Sequence, residues 1–477
     1  MPIQCLHGVN TNNPNRNRNA AFRWHFYAGW FVLPVLFILA TSGLVILIKP
    51  TIERLAYNEL LSVDPTSRSM TLEAQRSAVE KAYPFVTVDA VVPPRDSSRS
   101  TQFDVTDVDG RSLSVYVDPS SSKVLGHINN DTRIDYVATR IHGTLLVGKW
   151  GDYLIEIVAG WTLIMIATGL ALWAPRRWIP GSVRRAFIPR LRSGGRKPWR
   201  DTHGLVGALA APALAFLIVT GLPWAGFWGE RVWTPFIESL DSGTNPPVVE
   251  PMSGHHDAES LETAGLVVTW ASGMRPVPQS TDNSPEPLTL DAVRERATTL
   301  GMLPGFAIGT PIDDMGVYTL TNAWPSRAQD ERLVYLDQYS GEVLDETGWS
   351  ASYGTLAQVT SWGVDAHMGR QLGVANAIVM ALVCFGVIIA CLSAPVMYLK
   401  RRRSGSLTLP RRPRDYRLPF TARIVVALIC LIYPLLGATI VVVWAIDRLF
   451  MRHLRSGDIQ PTTASDIGDG HFVGSEE

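Results

Sequence analysis

The stretch HFYAGWFVLPVLFILATSGL, from His25 to Leu44, decides the fold because it is apolar over nearly its whole length after one histidine. A second stretch, HGLVGALAAPALAFLIVTGL, runs from His203 to Leu222 and matches the first at five identical offsets. The matched residues are His25, Gly29, Pro34, Gly43 and Leu44 in the first and His203, Gly207, Pro212, Gly221 and Leu222 in the second. Since about 20 apolar residues cross a hydrocarbon core, the pair predicts two membrane-spanning helices in a duplicated unit.

The composition is typical of a membrane protein. Of the 477 residues, 46% are hydrophobic and 18% are charged, and the apolar residues form a few long blocks. The formal net charge is zero, so overall charge predicts no partner, and nothing indicates nucleic acid. Three of the four cysteines, Cys384, Cys391 and Cys430, lie in apolar blocks, and no CxxC pair occurs. The sequence therefore predicts no disulfide framework, no cysteine zinc site and no c-type haem.

Five blocks are long enough to span a bilayer. They predict spans over residues 26–48, 153–174, 205–228, 372–399 and 424–446. The first is interpreted as a retained helix rather than a signal peptide, because no small-residue cleavage site follows it. Tyr433, Pro434 and Gly437 interrupt the fifth, and arginines follow it, so the polar tail 447–477 fits either side of the membrane.

The distribution of arginine and lysine predicts the orientation. The segments 175–204 and 400–423 are strongly basic and are expected in the cytoplasm, together with the N-terminus 1–25. The long polar segments 49–150 and 229–371 are then periplasmic. The predicted location is the bacterial inner membrane, crossed several times.

The two periplasmic segments share a repeat of their own. VYVDPSSSKVL, from Val115 to Leu125, aligns without a gap on VYLDQYSGEVL, from Val334 to Leu344. Helical patterns precede both copies, over Thr71–Ala82 and Thr289–Leu300. Each copy predicts a helix on an antiparallel sheet whose last hairpin turns at an aspartate, Asp118 or Asp337. The predicted fold is a multi-span α-helical membrane protein, a pseudo-twofold bundle from a duplicated unit, with two extracytoplasmic α+β domains.

Four histidines recur symmetrically at the predicted membrane surfaces. His25 and His203 fall at the cytoplasmic ends of the first and third spans. His142 and His367 precede the second and fourth spans, each six residues before a glycine, Gly148 or Gly373. For His142 this places Asp135 to Val147 in an amphipathic segment at the membrane surface. A lone histidine at a helix end is more often an interfacial residue, but symmetric repetition favours ligation.

Haem suits two histidine pairs better than a bare ion. Zinc or copper normally takes three or four protein ligands, whereas a bis-imidazole haem takes two axial ligands and fits its apolar ring between helices. The prediction is two b-type haems, one held by His25 and His203 and one by His142 and His367. The glycines Gly29, Gly207, Gly148 and Gly373 would leave room for the macrocycle.

Three further residues are candidates for supporting roles. Arg140 and Arg370 could pair with haem propionates. Glu156 could handle protons, contact a propionate or an arginine, or form a structural ion pair. The pair His255 and His256, in an acidic and serine-rich loop, could hold a metal weakly.

These motifs together resemble the PepSY-associated transmembrane family, often called iron-regulated membrane proteins, over about Phe22 to Arg403. The resemblance rests on four features: Arg23-Trp24-His25 with Gly29, Ile141-His142-Gly143 leading to Gly148, Trp199 to Gly204, and two PepSY-like hairpins. It implies a periplasmic ferric-siderophore reductase of the inner membrane that carries b-type haems on histidines. The first hairpin departs from the family pattern, because Ser121-Ser122 stands where Ser340-Gly341 has the usual glycine.

The resulting hypothesis is an oxidoreductase that moves electrons from the inner to the outer haem and reduces siderophore-bound Fe(III). No nucleotide or flavin motif is present, so the electron donor is expected to be quinol or a redox protein. The alternative is a non-enzymatic PepSY scaffold or inhibitory docking protein in iron homeostasis. A transporter is disfavoured because the spans carry few charges. The sequence leaves the siderophore and the oligomeric state open.

Overall fold

The computed structural model describes residues 14–65, 68–175, 179–233, 235–236, 239, 277–281, 286–322, 325–401 and 420–456. Its α-helices are α1 Pro14–Leu47, α2 Lys49–Ala56, α3 Asn58–Leu61, α4 Leu72–Ala82, α5 Ile134–Thr144, α6 Lys149–Trp173, α7 Pro180–Phe187, α8 Lys197–Gly221, α9 Leu290–Thr299, α10 Thr355–His367, α11 Gly373–Leu399, α12 Phe420–Ile432 and α13 Pro434–Ser456. Its strands are β1 Thr87–Val92, β2 Thr101–Thr106, β3 Ser112–Val117, β4 Val124–Asn129, β5 Ala307–Gly309, β6 Val317–Thr321, β7 Arg332–Asp337 and β8 Val343–Gly348.

Four of the described helices, α1, α6, α8 and α11, are long and apolar enough to cross a membrane. Apolar segments of this length form helices in lipid because a helix satisfies every backbone hydrogen bond internally. They pack as a closed ring in the order α1, α6, α8, α11, so α1 and α8 lie diagonally opposite each other. The interior between them is apolar and includes Ala40, Val383, Val387 and Cys391.

The predicted fifth span, 424–446, is not one helix. The chain breaks at Tyr433 between α12 and α13, because Pro434 lacks an N–H and its ring collides with the carbonyl four residues earlier. The apolar part of α13, Pro434–Ile446, is shorter than a full span. The break is tight: a Cβ on Gly437 would lie 2.9 Å from the Cβ of Cys430. The described residues 420–456 belong to a separate compact unit.

The two polar segments join in one sheet, a connection that the prediction of two outer α+β domains did not include. Eight antiparallel strands run in the order β4-β3-β2-β1-β5-β6-β7-β8. The halves meet where β1 pairs with β5, with Ala90 opposite Gly309 and Val91 opposite Ile308. A single apolar core under one face contains residues of both halves, including Phe103 and Leu320.

The helices α4 and α9 cover that core and match the predicted helical patterns. Each begins at a threonine cap: Thr71 accepts a hydrogen bond from the N–H of Ala74, and Thr289 accepts one from that of Ala292. The first turns also bind each other, since Glu73 accepts from the N–H of Leu290 and donates its own N–H to Asp291. The repeated helices therefore hold the two halves of the sheet together.

The two aspartate hairpins share one turn conformation despite their different sequences. Ser122 and Gly341 both have positive φ, 56° and 70°, and their N–H groups bond to the carbonyls of Asp118 and Asp337. The serine in place of glycine therefore leaves the turn unchanged and places a non-glycine residue in the left-handed region.

Two short helices connect the sheet to the bundle. The predicted amphipathic segment 135–147 coincides with most of α5, which packs on α1, and α10 packs on α8 in the corresponding way. A salt bridge of 2.9 Å from Lys49 to Asp135 ties α5 to the chain after α1. We call this the sheet end of the bundle. The opposite end, flanked by α7 and Arg190 to Arg200, is the basic end.

Candidate functional site: two histidine pairs in the helix bundle

The basic-end pair consists of His25 on α1 and His203 on α8. Because these helices are diagonal in the ring, both side chains project into the interior of the bundle. Their ring centroids lie 6.2 Å apart and the ring planes cross at 82°. Helices that were predicted to begin just after these residues in fact extend upstream, to Pro14 and Lys197, so both histidines lie within continuous helix.

Hydrogen bonds fix the protonation of this pair. The Nδ1 atom of His25 lies 3.2 Å from the carbonyl oxygen of Met165, and Nδ1 of His203 lies 3.0 Å from that of Ala390. A carbonyl oxygen can only accept, so each Nδ1 carries the hydrogen and each Nε2 keeps its lone pair. Metal-ligating histidines usually have this arrangement, in which the other ring N–H donates a hydrogen bond to a backbone carbonyl.

The sheet-end pair consists of His142 on α5 and His367 on α10. Nδ1 of His142 lies 3.1 Å from the hydroxyl of Ser42 on α1, and Nδ1 of His367 lies 3.0 Å from that of Thr220 on α8. The two rings lie close enough to interact electrostatically. Burial is the main cause, and the charge of His142 the second, that lowers the pKa of His367 to about 4. Burial also lowers the pKa of His142, so the fold favours the neutral form of both rings that metal ligation requires.

The two pairs lie far apart along the bundle. Ser42 follows His25 by 17 positions on α1, and Thr220 follows His203 by 17 positions on α8. At a helical rise of 1.5 Å per residue, this separates the pairs by about 25 Å. That distance approaches the thickness of a hydrocarbon core, about 30 Å.

Glycines shape the space around the rings. A Cβ on Gly43 would lie 3.3 Å from Cε1 of His142, and one on Gly221 would lie 3.5 Å from Cε1 of His367. Gly29 and Gly207, one turn after the basic-end histidines, are different, because a Cβ there would meet no atom within 4 Å. Space is therefore open beside Gly29 and Gly207, whereas the sheet-end rings lie directly against helix backbone.

The predicted arginine partners have contacts of their own. Arg370 forms an ion pair with the buried Asp365, on the helix that carries His367. The guanidinium of Arg140 lies 5.9 Å from the ring centroid of Tyr136. Their role as propionate partners stays a prediction.

Glu156 lies at the sheet end of α6 and is 2% exposed. Its Oε2 accepts a hydrogen bond of 3.1 Å from the N–H of Trp228. One turn earlier, Asp152 accepts one of 2.7 Å from the N–H of Gly226. Both carboxylates thus hold the chain that leaves α8, a contact to backbone that sequence reasoning did not consider. A proton or ion-pair role for Glu156 stays a prediction.

His127 lies on the sheet, away from the two pairs. His127 lies on β4 and its Nδ1 is 2.9 Å from the hydroxyl of Tyr83. The pair His255 and His256 falls outside the described residues. Across the described ranges, no three histidine, cysteine, aspartate or glutamate side chains converge as a metal-binding group, so each end of the bundle presents two imidazoles.

Sequence reasoning missed the residues that contact the histidines. Four hydroxyl side chains, Ser42, Thr168, Thr220 and Ser393, each lie within 3.2 Å of a histidine Nδ1. The available signal was a serine or threonine followed by glycine or alanine, which occurs once in each of the four spanning helices. Such residues are common in membrane helices, so only the contacts distinguish these four.

The fold and the paired histidines define a class of membrane protein: a four-helix bundle with an imidazole pair near each end and an antiparallel sheet on one end. The chain belongs to the PepSY-associated transmembrane family, since it matches the PepSY-associated TM region over residues 22–401. This confirms the resemblance expected from the histidine motifs and hairpins. No curated protein matches the chain.

Proposed function

We propose that this protein is a haem-containing reductase of the bacterial inner membrane that passes electrons across the bilayer and reduces siderophore-bound Fe(III) to Fe(II) in the periplasm. The observation that carries the proposal is the separation of 6.2 Å between the ring centroids of His25 and His203. Two metal–nitrogen bonds of about 2.0 Å, extended to the ring centres, would span about 6 Å. His25 and His203 would therefore be able to hold one haem iron between them.

The surroundings of the basic-end pair also fit a b-type haem. The lone pair on each Nε2 is left for a metal, because Nδ1 carries the hydrogen. The space beside Gly29 and Gly207 would admit a flat apolar macrocycle between the helices. His142 and His367 would hold a second haem, since their Nδ1 atoms are bonded in the same manner.

The positions of the pairs support transfer across the membrane. A bound haem supplies an iron that takes up and gives back one electron. The histidines hold these positions about 25 Å apart by helical rise, which spans most of a hydrocarbon core of about 30 Å. The apolar interior between the pairs keeps water away from this route.

The substrate and the donor follow from the family resemblance and from the absence of a nucleotide motif in the sequence. Each Fe(III) takes one electron and becomes Fe(II), which hard oxygen chelators hold less tightly. A quinol donor would supply two electrons and release two protons, enough for two Fe(III). The sheet, on the proposed periplasmic side, would present the chelate to the sheet-end pair.

Haem content and spectra test the proposal. We expect about two haems per chain from a pyridine-haemochrome assay and a reducible bis-histidine spectrum. His25→Ala or His203→Ala should remove one haem, and His142→Ala or His367→Ala the other. His127→Ala is the matched control, because that histidine lies on the sheet with Tyr83. Purified protein without haem would contradict the proposal.

Activity is measured on the full chain in proteoliposomes. With quinol supplied, Fe(II) released from a ferric hydroxamate or catecholate is trapped by a ferrous-specific chelator. We expect loss of at least tenfold in the four histidine variants and none in His127→Ala. If haem content is normal but no Fe(III) is reduced, the haem part of the proposal stands and ferric chelates are rejected as the substrate. An unchanged spectrum in all four variants would favour the scaffold alternative.

A further inference from the structure

One hydrogen-bonding pattern recurs at all four histidines. Each Nδ1 atom meets a hydroxyl side chain on a neighbouring helix. Each imidazole also bonds the backbone carbonyl three residues before that hydroxyl, through Nδ1 at His25 and His203. The four carbonyl and hydroxyl combinations are Met165 with Thr168 for His25, Ala390 with Ser393 for His203, Leu39 with Ser42 for His142, and Leu217 with Thr220 for His367. Each spanning helix supplies one combination.

The proton of each hydroxyl is already used within its own helix. Ser42 donates to the carbonyl of Ile38 at 2.8 Å, and Thr168 donates to that of Ile164 at 2.7 Å. Thr220 donates to Phe216 at 2.9 Å, and Ser393 donates to Ala390 at 3.0 Å. Each oxygen therefore turns a lone pair toward the imidazole and accepts the Nδ1 hydrogen. Carbonyl and hydroxyl then select the same tautomer.

The residue after each hydroxyl is small, which lets the ring approach. Gly43, Gly169 and Gly221 follow three of them, and Ala394 follows Ser393. A Cβ on Gly169 would lie 3.0 Å from Cε1 of His25, closer than ordinary van der Waals contact. A side chain there would displace the ring from the hydroxyl.

We infer that Ser42, Thr168, Thr220 and Ser393 are positioning residues for the four histidines. Each hydroxyl holds one imidazole with Nε2 directed away from the helix and, by accepting the Nδ1 hydrogen, makes the ring a stronger ligand for Fe(III). The inference rests on the proposed function, because it gives these hydroxyls their effect through haem iron.

A purely structural role makes a different prediction. Hydroxyls in membrane helices commonly bond the carbonyl four residues earlier without any other partner. Thr41 is such a residue: it donates to the carbonyl of Phe37 at 2.8 Å and is exposed. It adjoins Ser42 on the same helix, so it is a matched control for removal of a hydroxyl.

The test compares hydroxyl removal at each end of the bundle in the full chain. Ser42→Ala and Thr220→Val remove acceptors at the sheet end, and Thr168→Val removes one at the basic end. Ser42→Thr and Thr168→Ser keep a hydroxyl at the same position. Thr41→Ala removes the hydroxyl of the control residue. The readouts are haem per chain, folding in detergent by size exclusion, and optical redox titration of the two haems.

We expect each removal to affect only the haem at its own end. Its midpoint potential should move to more positive values, because a weaker ligand stabilises Fe(III) less, and its affinity for haem should fall by about tenfold or more. Ser42→Thr, Thr168→Ser and Thr41→Ala should keep the wild-type potentials. If Ser42→Ala does not fold, Thr220→Val and Thr168→Val decide by the same criteria.

Two outcomes overturn the inference. Wild-type protein with two haems, together with unchanged potentials and haem content in Thr168→Val and Thr220→Val, would reject the positioning role and leave the proposed function intact. Wild-type protein without haem would reject both.

Discussion

Five glycines of α1, α6 and α8 fall into two groups by what a Cβ atom would meet. At Gly43, Gly169 and Gly221 it would approach a histidine ring within 3.5 Å, and at Gly29 and Gly207 it would meet nothing within 4 Å. The first group explains how the rings lie against the helices. The second has no packing explanation within the described protein, and the proposed macrocycle supplies one.

Gly29→Ala and Gly207→Ala should therefore have opposite effects on protein stability and on haem binding. Alanine in a helix interior is favoured over glycine by about 0.5–1 kcal/mol, and the open space avoids a clash. Chains made under haem limitation should unfold at an equal or higher temperature than wild type. Haem at the basic end should be depleted. Gly181→Ala on α7, where a Cβ also meets no atom, is the control, and full haem content in both bundle variants would contradict the prediction.

At the scale of elements, the turn between α5 and α6 sets where His142 lies. Leu145 and Leu146 have positive φ, 50° and 61°, and Gly148, the N-cap residue before α6, has φ 59° and ψ −142°. Gly373 has φ 62° at the start of α11. A backbone reversal of this kind lets a surface helix fold back onto the bundle and insert its histidine.

Gly148→Ala should destabilise this turn. A residue with a Cβ in that region costs about 1–3 kcal/mol, so the thermal unfolding midpoint should fall, and haem at the sheet end should be lost before haem at the basic end. Gly143→Ala is the control, since it lies within α5 and its Cβ would meet no atom. Equal stability of the two variants would show that the turn is not constrained.

A buried carboxyl joins the sheet to α10. Glu331, beside β7, is 4% exposed and accepts a hydrogen bond of 2.5 Å from the hydroxyl of Ser361. Burial, with a smaller contribution from the nearby Asp365, raises the pKa of Glu331 to about 7. Folding therefore favours the protonated form.

The contribution of Glu331 to the free energy of unfolding should consequently fall as pH rises. Between the ordinary glutamate value of 4.5 and about 7, the folded chain binds more protons than the unfolded chain, so this contribution is complete below pH 4.5 and lost above pH 7. Glu331→Gln should reduce the decrease of the thermal unfolding midpoint with pH over this range. Glu342→Gln, at an exposed position, should not. A wild-type slope in Glu331→Gln would contradict the assignment.

At the scale of the whole molecule, the distribution of charge and the fold indicate the same orientation in the membrane. The arginines of 179–201 lie at one end of the bundle, with Asp201 paired to Arg190 and Arg200, and the sheet lies at the other. Cytoplasmic loops are enriched in arginine and lysine, so the sheet is proposed to face the periplasm. Electrons would then leave the protein on the side where chelated iron arrives.

Cysteine labelling tests this orientation. In a chain whose four native cysteines are replaced, Ser121→Cys on a sheet hairpin should react with an impermeant maleimide in intact spheroplasts. Gly194→Cys in the basic loop should react only after permeabilisation. The reverse pattern would place the sheet in the cytoplasm and exclude a periplasmic substrate.

Local patterns in the sequence anticipated several elements. Hydropathy marked the four long helices, and helical periodicity marked α4 and α9. Tyr433 and Pro434 also interrupt the apolar stretch in the sequence. The predicted span runs through them because its total length is enough to cross a bilayer, whereas the missing proline N–H ends the helix. These features depend on residues within a few turns of one another.

The sequence by itself determined a membrane protein with repeated histidines, because apolar length and repetition need no knowledge of contacts. Only the tertiary structure decided that the two outer segments form one sheet, since the pairing of β1 with β5 joins residues more than 200 positions apart. It also decided which hydroxyl meets each histidine, such as Thr168 for His25. Side chains on separate helices become partners only when packing sets the rotation of each helix, and no local pattern encodes that rotation.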